Sequence, residues 1–182
     1  MGKLYDHITE EHRAFIEKQK MFFVGTAAED GRVNVSPKGM DTLRVIDTNK
    51  VIWLNLTGSG NETAAHILDT NRITIMFCAF EDDPRIMRLY GKANVIHPRD
   101  DAWHQLIKLF PPIEGARQII EVLVESVGTS CGFGVPLYKY AGDRDKLRQW
   151  AIKKGEAGIQ DYWETKNKIS IDGKPTHILA DE

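Results

Sequence analysis

The chain changes its hydrophobic period several times, and each change marks an element. Between Asp6 and Lys20, the residues Ile8, His12, Phe15, Ile16 and Gln19 recur at helical spacing, with Thr9 placed to cap the first turn and acids behind it. An opening helix is predicted. The period then falls to two. Residues 21–27 are rich in β-formers, Asp30-Gly31 is a strong turn dipeptide, and residues 32–36 alternate polar with apolar, which predicts a β-hairpin. Two more strands, 43–46 and 51–56, flank the turn formers of 47–50. After Gly58-Ser59-Gly60-Asn61, residues 62–69 read as a short helix with Ala64, Ala65 and Leu68 toward a sheet.

Strand character returns over 72–80 and 85–96, on either side of the polar break Glu81-Asp82-Asp83-Pro84. In the second run Ile86, Arg88 and Tyr90 share one face, and Met87 and Leu89 the other. A helix over 100–110 is predicted to stop at Pro111-Pro112. The β-branched run 118–127 gives a seventh strand, and the charged stretches 143–154 and 158–168 read as helices. Antiparallel strands with short helices inserted, and no regular strand–helix alternation, predict a mainly β, barrel-like fold with helical decoration. No repeat or linker divides residues 1–182, so a single domain is expected.

Composition narrows the function classes. A chain of 182 residues that is 42% hydrophobic can build one sizeable core. Its 24 Lys and Arg against 26 Asp and Glu leave a net charge of −2, with no positive excess to grip a nucleic-acid backbone. The apolar runs are short and interrupted by charge, and the first residues lack the apolar stretch of a secretory signal, so a soluble, cytoplasmic protein that binds no membrane is expected. Cys78 and Cys131 lie far apart and are expected to be free, buried thiols. The six histidines form no H-x-x-x-H pair, so no metal site is expected.

The segment from Thr57 to Thr63 carries the strongest chemical signal. It joins a strand to a helix start and holds two glycines, three hydroxyls and Asn61 in capping position. Glycines let backbone amides approach an oxyanion, hydroxyls donate, and the helix start adds partial positive charge, so this is a candidate anion cradle. The plainer alternative is a turn and a cap. A dinucleotide fingerprint would use Gly58, Gly60 and an acid such as Glu81 or Asp82, but Thr63 replaces the third glycine and the preceding strands form hairpins. Gly128-Thr129-Ser130-Cys131-Gly132 fits a hydrolase elbow, yet the following Phe133-Gly134-Val135-Pro136 cannot open the required helix. Ser36-Pro37-Lys38-Gly39 is either a plain turn or a second half of the anion site.

Together these residues resemble the pyridoxamine 5′-phosphate oxidase-like family of FMN-binding split barrels, over about residues 6–137. The likeness is carried by the hairpin at Asp30-Gly31, Ser36-Pro37-Lys38-Gly39, the stretch from Trp53 to Phe77, and Arg88-Leu89-Tyr90-Gly91-Lys92-Ala93. It implies a six-stranded antiparallel split β-barrel, a homodimer with FMN between subunits, and a C-terminal helical extension over about 138–182. Carried over by position, Ser36, Lys38, Thr57, Asn61 and Thr63 contact the cofactor; Gly39, Gly58, Ser59 and Gly60 of the same two turns complete the candidate set with Arg88, which on its alternating strand either enters the groove or bonds a neighbouring acid. The chain departs from the vitamin-forming enzymes, which place an Arg-Lys pair where it has Glu62-Thr63 and another arginine at Ser36. FMN is therefore expected to bind more weakly, or through backbone amides plus Lys38. No match to the motif that holds pyridoxal phosphate is present, so substrate and catalytic residues stay unassigned. The implied activity is that of an FMN-dependent oxidoreductase. The alternative is a non-catalytic module that stores or senses a flavin, a deazaflavin such as F420, or haem on the same dimeric barrel.

Overall fold

The computed structural model describes residues 2–81 and 83–179. Its strands are β1 (Lys3–Tyr5), β2 (Phe22–Thr26), β3 (Asn34–Lys38), β4 (Leu43–Asp47), β5 (Lys50–Leu56), β6 (Arg72–Cys78), β7 (Ile86–Ile96) and β8 (Ala116–Ser130). The α-helices are α1 (Glu10–Lys18), α2 (Glu62–Thr70), α3 (Trp103–Leu106) and α4 (Lys146–Tyr162). All pairings between strands are antiparallel, in the order β3-β2-β6-β7-β8-β5-β4, with β1 added beside the end of β8. The described residues thus form an eight-stranded sheet with β3 and β4 at the ends of its path, where the pattern gave seven strands and the resemblance six. The strand missing from the pattern, β1, has three residues, too few for a period, and exists because Leu4 pairs with Gly128.

The sheet folds around one main core. Trp53, Phe77, Phe22, Ile75, Met87 and Leu89 are buried in it, and α1 closes one side with Ile16. A second cluster of Ile52, Leu54, Ile119 and Phe110 lies on the opposite face of β5 and β8. With apolar groups on both faces, β5 reads as a continuous hydrophobic run and not as an alternation. The longest pair, β7 and β8, bends at a bulge between Tyr90 and Gly91. Gly91 is required there, because a Cβ would run into the backbone of Leu123.

Several boundaries differ from those read in the sequence. The hairpin strand begins at Asn34, not Arg32, and residues 27–33 form a longer connection. Asp30-Gly31 makes no two-residue turn because the C-terminal tail holds the loop. Asp172 accepts from the Arg32 amide at 2.7 Å, and Lys174 pairs with Asp30 at 2.6 Å. The helix expected over 100–110 is only α3 and a 3-10 turn, Ile107–Leu109. β8 extends beyond 118–127 in both directions, because β1, β5 and β7 all pair with it. The two tail helices meet as α4, with a break at Gly155 (φ 66°), and continue into a π-turn at Trp163–Asn167. Cys78 is buried as expected, but Cys131 is exposed, since it follows the last residue of β8 and leaves the sheet.

Candidate functional site

Strand alternation builds one wall of a cleft. Asn34, Ser36 and Lys38 share the inner face of β3, while Val35 lies exposed on the other. Opposite them stand Asn55 at the end of β5, the Gly58–Gly60 turn, the start of α2, and Arg117 near the start of β8. Together they enclose about 260 Å³. The cleft therefore brings together Ser36, Lys38, Gly58, Ser59, Gly60, Asn61 and Thr63 of the expected site.

Its polar groups are unevenly matched. Asn61 occupies the N-cap position of α2, yet its side chain makes no capping bond, contrary to expectation. Its φ and ψ of −138° and 36° lie outside the extended region that a capping residue usually adopts. Both polar atoms, Oδ1 and Nδ2, are buried without a partner, and so is Ser36 Oγ. Orphaned groups of this kind cost free energy until something bonds them, and functional sites tolerate that cost. Thr63 is matched, its hydroxyl accepting from Asn34 Nδ2 at 3.2 Å.

Two cations line this corner, Lys38 half-buried and Arg117 buried. Lys38 lies 3.5 Å from Asn55 Oδ1, and burial, reinforced by the nearby Arg117 charge, lowers its pKa to about 8. Arg117 is 2% exposed, and burial lowers its pKa to about 10, so it stays charged at neutral pH. Its NH1 donates to Gly60 O at 3.0 Å and to Asn167 Oδ1 at 2.9 Å, while Nε has no partner. Sequence reasoning missed Arg117 because it precedes the run that marked the strand. Extending that run by one residue would have found it. One carboxylate also lines the cleft: Glu62 accepts from the Ile171 amide at 3.1 Å.

Three expected residues stand outside the cleft. Thr57 is buried behind it, with its hydroxyl donating to Gly115 O at 2.8 Å and accepting from Trp163 Nε1 at 2.9 Å. Gly39 passes into neighbouring clefts. Arg88 sits on the outer face of β7, in register with Met76 and Gly128. At Gly128–Gly132 no helix follows the serine, so the elbow geometry does not form.

A sequence model described as pyridoxamine 5′-phosphate oxidase matches residues 8–131, a span that contains the whole sheet except β1. The chain belongs to the pyridoxamine 5′-phosphate oxidase family. It is 34% identical to the pyridoxamine 5′-phosphate oxidase family protein ustO of Aspergillus flavus, over 96% of this chain and 78% of that protein. Among solved structures, its fold is similar to that of a candidate pyridoxamine 5′-phosphate oxidase from Lactobacillus delbrueckii. The TM-score is 0.54 at 18% identity, covering 68% of this chain and 94% of that one. HupZ of Group A Streptococcus is comparable, with a TM-score of 0.53 at 22% identity, covering 66% of this chain and 91% of that one. Residues 132–182 lie beyond the family match, and they supply Trp163, Asn167 and Ile171 to the loops around the cleft.

Proposed function

We propose that this chain is an FMN-dependent oxidoreductase that works as a homodimer in the cytoplasm, its curled sheet serving as a split barrel. The observation that carries the reading is the corner where the unpartnered Asn61 carboxamide and Ser36 hydroxyl meet Lys38 and Arg117 at the start of α2. A phosphate monoester fits that donor set. Asn61 Nδ2 and Ser36 Oγ would donate to it, Lys38 and Arg117 would balance its charge, and the glycine turn would let amides approach. Glu62 opposes an anion, but the Ile171 amide already holds its carboxylate.

The cleft's 260 Å³ suits a phosphate and its attached chain better than a whole flavin nucleotide, which supports a ring site completed by a second protomer. Bound flavin supplies hydride chemistry; the protein's part is to anchor, orient and exclude water. Arg117 offsets part of the positive charge lost at Glu62-Thr63, so FMN is expected to bind without the Arg-Lys pair.

The test is the absorbance spectrum of purified protein after FMN addition, followed by anaerobic NADPH. Flavin bands that shift on binding and bleach with reductant support the enzyme. Flavin that binds but stays oxidised with every donor supports the storage reading. A Soret band, or no bound flavin, contradicts both flavin readings.

A further inference from the structure

A second and larger cleft, of about 590 Å³, lies beyond Lys38. Lys38 belongs to both clefts, so they share one wall. The far side is formed by residues 138–147, outside the part of the chain that matches the family.

The charge in this cleft is out of proportion to the chain. Its lining contains the cations Lys18, Lys20, Lys38, Lys139, Arg144 and Lys146, in a protein whose net charge is −2. None of the six forms a salt bridge among the described residues. Two carboxylates, Glu81 and Asp143, also line it, both close to Tyr140. Glu81 accepts from the Tyr140 amide at 2.8 Å, and burial together with the nearby Asp143 raises the Tyr140 hydroxyl pKa. Glu81 thus ties the loop in place, and the six cations outnumber the two carboxylates by four, with Lys18, Lys20, Lys139, Arg144 and Lys146 all exposed. Like charges gathered without partners repel one another, so the arrangement favours an anionic occupant.

Aromatic rings line the same space. Phe80 and Tyr138 pack with their rings tilted by 41° and centroids 5.6 Å apart, and Lys20 Nζ lies 5.8 Å from the Tyr140 ring. Tyr138 is 64% exposed, which is unusual for so large an apolar surface beside a cleft. One phosphate would balance only part of the excess charge, and the cations are spread over the end of α1, β3 and the start of α4. Both facts call for several anionic groups along an extended molecule.

We propose that this cleft binds an organic polyanion carrying a planar ring, of the chemical class of the pyridine dinucleotides. Its anionic groups would meet Lys20, Lys139, Arg144 and Lys146, and its ring would lie on Tyr138 and Phe80. The assignment rests on the cleft itself and does not depend on the flavin reading.

The experiment is calorimetric titration of the full-length protein with NADPH and, separately, with inorganic pyrophosphate, each with and without saturating FMN. Saturable binding of one NADPH per chain is expected. The double variant Lys139→Glu, Arg144→Glu should weaken it roughly tenfold or more, as the loss of charge-assisted contacts implies. Tyr138→Ala should weaken NADPH but leave pyrophosphate unchanged, and Lys153→Glu, on the exposed side of α4, should change neither. The proposal is overturned if NADPH gives no saturable heat, or if charge reversal leaves its affinity intact. It is equally overturned if pyrophosphate binds as tightly as NADPH. NADPH binding without FMN binding would remove the flavin reading and keep this one; the converse would remove only this one.

Discussion

Burial of Lys38 beside Arg117 holds its ammonium at a pKa of about 8, below the ordinary lysine value of 10.5. Between these values the unfolded chain binds more protons than the folded one, so Lys38 makes stability rise with pH across that window. At neutral pH its charge is a burden on the fold. Replacing it by Lys38→Met is expected to raise the stability of the flavin-free protein by about 1–3 kcal/mol, measured by urea unfolding, while weakening FMN binding. The wild-type affinity for FMN should fall as pH rises through about 8, and the fall should vanish in the variant. Asn61 gives a different signature. Because its side chain caps nothing, Asn61→Ala should leave stability within roughly 0.5 kcal/mol, where a true cap would lose about 1. FMN binding should still weaken. A loss of a full cap's worth of stability would show that the carboxamide serves the helix.

At the scale of elements, the C-terminal extension holds the site together. Trp163 fixes Thr57, and Asn167 bridges Arg117 to Gly58 O at 3.1 Å. Ile171 holds Glu62, and Asp172 and Lys174 hold the loop before β3. Asn167 is fully buried, so Asn167→Ala leaves the Arg117 guanidinium with Gly60 O alone and deprives Gly58 O of its donor. A cost of about 2–3 kcal/mol is expected in denaturant unfolding. This dependence also explains what the sequence could reveal. β6, β7 and α1 follow from their own periodicity, and the gap between the two tail helices falls where Gly155 breaks α4. The start of β3, the shortness of α3 and the role of Arg117 were hidden because contacts from distant residues decide them. Ser36, Lys38 and the 58–63 turn were legible as polar groups at the ends of strands. That Asn61 faces a cleft, and not its helix, depends on a backbone angle no residue pattern encodes.

For the whole molecule, the cleft at the start of α2, of about 260 Å³, suits a phosphate better than a whole flavin, and a homodimer that completes the ring site is expected in solution. Light scattering coupled to size exclusion should give twice the chain mass of 20.6 kDa, and a monomer that nevertheless binds FMN tightly would require a ring site within one chain. The central claim is that this corner anchors a phosphate, and riboflavin, which lacks one, tests it most directly. FMN is expected to bind the purified protein roughly a hundredfold more tightly than riboflavin, as two charge-assisted contacts imply, and the ratio should fall to roughly tenfold in Lys38→Met, which leaves Arg117 in place. Equal affinity for the two flavins, or a preference that the substitution leaves unchanged, would contradict the account.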